Sequence, residues 1–182
     1  GIEKISESKT FEQDFYVVER ICGICSTSHP FAYANAVESI PGVEIPDRAK
    51  YIRSIVGELE RIHSHLLWVG LAGHFLGYNT VFMWAWKYRE PVLDLFEMIT
   101  GNRNSYAMFK GGGVRRDIEN NKIPAIEEVV LEVDLEGGEN PATDGGKGTR
   151  KKARGCIEHQ LLRICCAPAY SHRAGDVKIT PG

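Results

Sequence analysis

Asp47-Arg48-Ala49-Lys50-Tyr51-Ile52-Arg53-Ser54-Ile55-Val56-Gly57-Glu58-Leu59-Glu60-Arg61-Ile62-His63-Ser64-His65-Leu66-Leu67-Trp68-Val69 is the stretch on which the fold turns. Its apolar positions Ile52, Ile55, Val56, Leu59, Ile62, Leu66 and Val69 keep an i, i+3, i+4, i+7 rhythm, while Arg53, Glu58 and Arg61 fall on the opposite face. The pattern predicts one helix from Asp47 to about Ala72, roughly 40 Å long at ~1.5 Å per residue, about the width of a domain. A helix of that length is expected at the centre of the core.

Working outward, Gly42 and Pro46 mark a turn before this helix. Phe31, Ala34, Val37 and Ile40 predict a shorter helix over 28–40, with Thr27 or Ser28 as cap and Pro30 in the first turn. Downstream, Gly77-Tyr78-Asn79 breaks the pattern, and Asn79 or Thr80 is placed to cap a third helix carrying Val81, Phe82, Trp84, Ala85 and Tyr88. Pro91 is expected to kink that helix or begin another, which runs to Gly101. Lys110 to Asp117 reads as a glycine-rich loop, and a short helix is expected over 124–134. Residues 1–18 show no clear period. The fold class is mainly α.

The 182 residues, 43% hydrophobic and 25% charged, suit one soluble domain. From Lys147 onward eight Lys and Arg face only Glu158 and Asp176, which leaves −8 on residues 1–146 within a total of −2. Gly137 to Gly155 has no apolar period. The expected organisation is a domain over 1–135, a basic flexible linker over 136–155 and a distinct tail over 156–182. The basic run near Lys151 lacks interleaved aromatics and reads as solvated linker, not a nucleic-acid site. Leu66 to Trp86 carries His74, Asn79, Thr80 and several glycines, which falls short of a membrane span. The charged start, Gly1-Ile2-Glu3-Lys4, shows no signal peptide, and its lack of Met leads us to expect upstream sequence.

Chemistry concentrates in Glu19-Arg20-Ile21-Cys22-Gly23-Ile24-Cys25-Ser26-Thr27-Ser28-His29-Pro30. A Cys-x-x-Cys turn at a helix start can bring two thiolates to one soft metal, with exposed amides stabilising the sulfurs and Arg20 adding positive charge. Three other readings compete on spacing alone. A structural zinc site needs four ligands where this stretch offers three, a thioredoxin-like pair needs an α/β setting, and two inert core cysteines are the third. The odd count of five cysteines, with Cys156 isolated and Cys165/Cys166 adjacent, argues against a disulfide framework. Glu60-x-x-His63 has di-iron spacing but no second copy, so an exposed ion pair or core histidine is the simpler reading. Gly111-Gly112-Gly113 lacks the Lys-Ser/Thr of a phosphate loop and reads as a tight turn.

Arg20-x-Cys22-Gly23-x-Cys25-x-x-x-His29 resembles the proximal metal-binding motif of [NiFe]-hydrogenase large subunits, most closely the membrane-bound, energy-converting branch. The resemblance extends through Gly1-Ile2-Glu3-Lys4, Arg48 to Arg53, Glu58 to His65 and Gly112 to Asp117, covering about residues 1–118. It implies a part, incomplete at both ends, of the fold shared with the 49 kDa quinone-site subunit of respiratory NADH dehydrogenase. In that relative both cysteines are lost and a Tyr stands at the position of Gly23, so Cys22 and Cys25 point to the hydrogenase side. By resemblance, Cys22 is a terminal nickel ligand and Cys25 bridges nickel to iron, Glu3 passes protons, Arg20 flanks the site and His29 hydrogen-bonds the bridging sulfur. The family's second Cys-x-x-Cys is absent from this sequence. The implied partners are an iron-sulfur small subunit and membrane-embedded subunits that hold the chain at the cytoplasmic face of a membrane. Two other functions stay open: a non-catalytic interaction subunit, and a zinc protein using Cys22, Cys25, His29 and a tail cysteine.

Overall fold

A computed structural model describes residues 1–138; the linker and tail expected beyond them lie outside the described residues. Six helices run in chain order: α1 (Ile2–Ser6), α2 (Phe11–Val18), α3 (Ser28–Ser39), α4 (Asp47–Phe75), α5 (Asn79–Thr100) and α6 (Ile123–Gly138). A two-stranded antiparallel hairpin, β1 (Phe109–Lys110) and β2 (Gly113–Val114), lies between α5 and α6. Helix α6 enters the region read as linker and ends at Gly138.

Helix α4 is the centre. Ile52, Ile55, Val56 and Leu59 of its inner stripe are buried in one cluster with Val92, Leu95, Phe96 and Ile99 of α5 and Ile126 and Val130 of α6. Hydrophobic period and burial coincide here because a surface of that width can be removed from water only by packing neighbours on it. Arg53 departs from the sequence reading: it is 3% exposed and belongs to the buried face. Its guanidinium grips Glu38 of α3 through two bonds of 2.9 and 2.6 Å and donates to the carbonyls of Lys110 and Gly113 at 3.0 and 2.7 Å. A planar fork of donors satisfied on all sides can be buried where a lone cation cannot.

The same ion pair shapes the glycine loop into a hairpin. Lys110 pairs with Gly113 in register, Gly112 takes φ +80°, and the Gly112 N–H donates to Glu38 Oε1 at 2.7 Å. Arg48 repeats the device one turn earlier on α4, donating to Asp117 at 2.8 Å and to the Ile118 carbonyl at 2.9 Å.

Helices α4 and α5 form an antiparallel hairpin around Gly77, whose φ is +86°. The Tyr78 N–H bonds back to the Gly73 carbonyl and the Gly77 N–H to that of His74, the paired closure that a left-handed residue after a helix permits. The backbones approach closely at Gly70 and Gly73, where an added Cβ would meet Ala85 Cβ at 3.0 Å and Val81 Cβ at 2.9 Å. Pro91 neither ends nor divides α5, which is continuous from Asn79 to Thr100. It forfeits one bond to the preceding turn, and burial of Arg89, Val92 and Leu93 around it holds the helix in place.

The tip of this hairpin carries no Asp, Glu, Lys or Arg between Leu66 and Trp86, yet Trp68, Phe75, Leu76, Tyr78 and Met83 are each more than 60% exposed. No helix among the described residues is long and apolar enough to cross a membrane.

Residues 1–18, unpatterned as sequence, fold into α1 and α2. Thr10 and Gln13 form a reciprocal capping box at the start of α2, and Phe15 carries that helix into the core. One buried anchor and a cap suffice for eight residues, too few for a readable period.

A candidate metal centre at the cysteine turn

Helix α2 tightens into a single 3₁₀ turn over Glu19–Ile21, and Cys22 then swings to extended backbone, φ −143° and ψ 134°. The chain doubles back at once. The Cys25 N–H donates to Cys22 Sγ at 3.3 Å, Ser26 Oγ to the Cys22 carbonyl at 3.1 Å, and the Ser28 N–H to the Cys25 carbonyl at 3.2 Å. Gly23, exposed with open space around its Cα, lies at the outside of this turn. An amide aimed at Cys22 Sγ favours the thiolate, the form that binds metal.

Cys22 Sγ, Cys25 Sγ and a ring nitrogen of His29 lie within 4.8 Å of one another, all three half-buried. His29 reaches back along the first turn of α3 and places Nε2 3.4 Å from Cys25 Sγ. The two sulfurs face each other across the turn, their Cα atoms 5.4 Å apart. With both cysteines as thiolates, the donors are two soft sulfurs and one imidazole with no carboxylate among them, a set that fits nickel, iron or zinc and not magnesium or calcium.

Glu3 is not grouped with these three donors. It is exposed on α1, its side chain 87% accessible. Arg20 does not stand as a free charge beside the thiols: its Nη1 donates to Glu19 at 2.7 Å. Glu19 is itself buried and accepts the Ala107 N–H at 2.7 Å, which holds Ala107 in the left-handed region at φ 48°.

Beneath the turn lies a buried polar cluster that sequence reading passed over. Glu60, 4% exposed, accepts the Thr27 N–H in a short hydrogen bond and the Ser28 hydroxyl at 2.7 Å. Thr27 is the N-cap of α3 but makes no side-chain cap of its own, so a carboxylate from α4 takes that role. Burial raises the Glu60 pKa above the usual carboxylate range, while the bonds from Thr27 and Ser28 pull it back. One turn on, His63 is fully buried between Arg89 Nη2 at 3.1 Å from Nδ1 and Tyr106 Oη at 3.2 Å from Nε2, with Phe96 edge-on to its ring. The Ile24 carbonyl, inside the cysteine turn, lies beside the same ring. Because a guanidinium only donates, Nδ1 is the acceptor and the ring hydrogen is assigned to Nε2. Burial, with the Arg89 charge beside it, pushes the His63 pKa from the ordinary 6.5 down to about 4. Burial also raises the Tyr106 pKa, so the hydroxyl keeps its proton. The Glu60/His63 spacing was the one available signal. It marks a shared helix face, although not the di-iron site that such spacing can mean.

Residues 1–72 match the family model of nickel-dependent hydrogenases, and residues 76–137 match that of the 49 kDa subunit of respiratory-chain NADH dehydrogenase. Between them the two matches take in nearly all of residues 1–137, so the chain resembles the hydrogenase group in its first half and the 49 kDa group in the stretch that follows. Membrane-bound hydrogenase subunit alpha of Pyrococcus furiosus is 53% identical over 118 residues, 65% of this chain and 28% of that protein. Formate hydrogenlyase subunit 5 of Escherichia coli is 41% identical over 65% of this chain and 21% of its own length. An NADH-quinone oxidoreductase subunit of Geotalea uraniireducens is 37% identical over 71% of this chain and 33% of its own. A solved chain of the membrane-bound sulfane sulfur reductase, an archaeal respiratory membrane complex, superposes with a TM-score of 0.64 at 31% identity, over 77% of this chain and 40% of that one. The chain thus spans between a fifth and a third of the length of these curated relatives.

Proposed function

We propose that this chain carries the proximal half of a nickel–iron site in a large subunit of the energy-converting [NiFe]-hydrogenase type, acting in hydrogen oxidation or proton reduction. The observation that carries the reading is the convergence of Cys22, Cys25 and His29 within 4.8 Å, on the part of the chain that matches nickel-dependent hydrogenases. Cys22 and Cys25 would hold the metal as thiolates, and a bound nickel–iron centre would supply the redox chemistry of hydrogen. His29 Nε2, 3.4 Å from Cys25 Sγ, orients that sulfur. Glu3 is the carboxylate assigned to proton exchange and Arg20 the cation flanking the site, here tethered to Glu19.

Two thiolates hold nickel less firmly than four, so this polypeptide alone is expected to show little activity. Partners follow from the same reading. An iron-sulfur subunit would take the electrons, and membrane-embedded subunits would hold the chain at the cytoplasmic face of the membrane. The exposed, uncharged hairpin tip at Phe75 and Leu76 supports assembly with other polypeptide, since an apolar patch of that kind is normally covered.

The match of residues 76–137 to the 49 kDa subunit favours a second reading, a quinone-oxidoreductase-type subunit without a metal. Metal analysis of the reduced full chain, produced with nickel and iron supplied, separates the two. Bound nickel and iron that are lost in Cys22→Ser and Cys25→Ser support the hydrogenase reading. Stoichiometric zinc without nickel or iron, or no metal at all, overturns it.

A further inference from the structure

The cysteine turn touches α4 through two side chains three residues apart. Glu60 takes hold of it from the C-terminal side, at the Thr27 N–H and the Ser28 hydroxyl, between Cys25 and His29. His63 lies beneath its middle, with the Ile24 carbonyl, between the two cysteines, beside its ring. Both are buried, 4% and 0% exposed, and lie on one face of the longest helix of the fold. His63 is in turn braced by Arg89 of α5 and by Tyr106, whose ring stacks on Phe96 with centroids 4.0 Å apart. None of these groups is needed to close the turn itself, which has its own hydrogen bonds.

Core packing alone does not account for the arrangement. A buried carboxylate costs several kcal/mol unless its bonds offset the loss of water, and both recorded partners of Glu60 are in this one segment. The contacted atoms alternate with the donor residues along the chain: Cys22, then the Ile24 carbonyl beside His63, Cys25, then Thr27 and Ser28 bonded to Glu60, then His29. Fixing the intervening backbone sets the directions in which the three donors project.

We propose that Glu60 and His63 are positioning residues for the Cys22–Cys25–His29 donor set, a rigid two-point bracket that presents the donors already oriented for a metal. The proposal rests on the metal-site reading above, and its test separates the two.

The full chain, reduced with a phosphine, is titrated with Co(II), following sulfur-to-cobalt charge-transfer absorption. Backbone hydrogen exchange over residues 22–29 is measured on the metal-free protein. Glu60→Gln and His63→Gln should each weaken Co(II) binding by about 10- to 100-fold, the usual effect of losing an outer-sphere partner, and exchange at 22–29 should quicken at least tenfold. Ser28→Ala removes one arm of the bracket at an exposed position without altering the core, and should give a smaller loss in the same direction even if the core variants melt early. Binding within twofold of the parent in all three variants, with unchanged exchange, overturns the proposal. If the parent binds no Co(II), the metal reading fails, and exchange at 22–29 alone decides whether the bracket holds the turn.

Discussion

Replacing Glu38 by Ala should be among the most damaging single changes in the described structure. Arg53 and Glu38 are 2% and 6% exposed at their side chains and share two bonds, while Glu38 also receives the Gly112 amide at 2.7 Å. Removing the carboxylate leaves a buried guanidinium with only the carbonyls of Lys110 and Gly113, and leaves the hairpin amide of Gly112 without its acceptor. Breaking a buried pair from one side costs ~3–5 kcal/mol because the surviving charge remains out of water. For a chain of this size each kcal/mol lowers the melting midpoint by ~2–4 °C, which places the expected drop at ~6–20 °C. Thermal and urea unfolding followed by circular dichroism measures it. The double variant Glu38→Met/Arg53→Met should cost less than either single, since no unpaired charge is left. A loss under ~1 kcal/mol for Glu38→Ala, or a double variant worse than the sum of the singles, refutes the view that this pair holds the hairpin to α3 and α4.

Acidification should act through His63. Its folded pKa, about 4, lies below the unfolded value near 6.5, so the unfolded chain takes the proton first. The contribution to stability is intact above pH 6.5 and is lost as pH falls toward 4, by ~3 kcal/mol in all. Glu60, with its raised pKa, titrates in the opposite sense, so the clean measurement is the difference between the parent and His63→Gln in urea midpoints at pH 7 and 4.5. At the helix hairpin, Gly73→Ala should destabilise by ~1–3 kcal/mol through the clash with Val81, and adding Val81→Ala should recover part of the loss in the same melts. Phe75→Glu and Leu76→Glu, at 83% and 74% exposure, should leave the melting midpoint unchanged while reducing co-purification with partner subunits.

The main helices were readable because their inner stripes are long: six buried aliphatics of α4 recur at helical spacing from Ile52 to Leu66. The cysteine turn and His29 were readable because donor spacing is local, four residues being one helical turn. What escaped the sequence is what depends on distant partners. Arg53 looked like a surface residue until Glu38, Lys110 and Gly113 supplied its bonds from three other segments. Glu60 and His63 looked like an exposed pair or an ordinary core histidine, since nothing in their spacing says that Ser28 and Ile24 lie above them. Pro91 was read as a kink or helix start; α5 begins at Asn79 and runs through it, so it starts no helix. The glycine loop becomes a hairpin only because a buried ion pair accepts and donates at its turn.

The buried bonds also bear on modularity. Glu19 to Ala107, Glu38 to Gly112, Arg48 to Asp117, Arg53 to Gly113 and His63 to Arg89 and Tyr106 each join the hydrogenase-matching stretch to the 49 kDa-matching one. The seam between the two falls inside the last turn of α4, beside the close approach of the two helices at Gly73. Anyone building chimeras between hydrogenase and quinone-reductase relatives should therefore exchange the five couplings as sets. A graft cut at the seam would import half of every lock without its key.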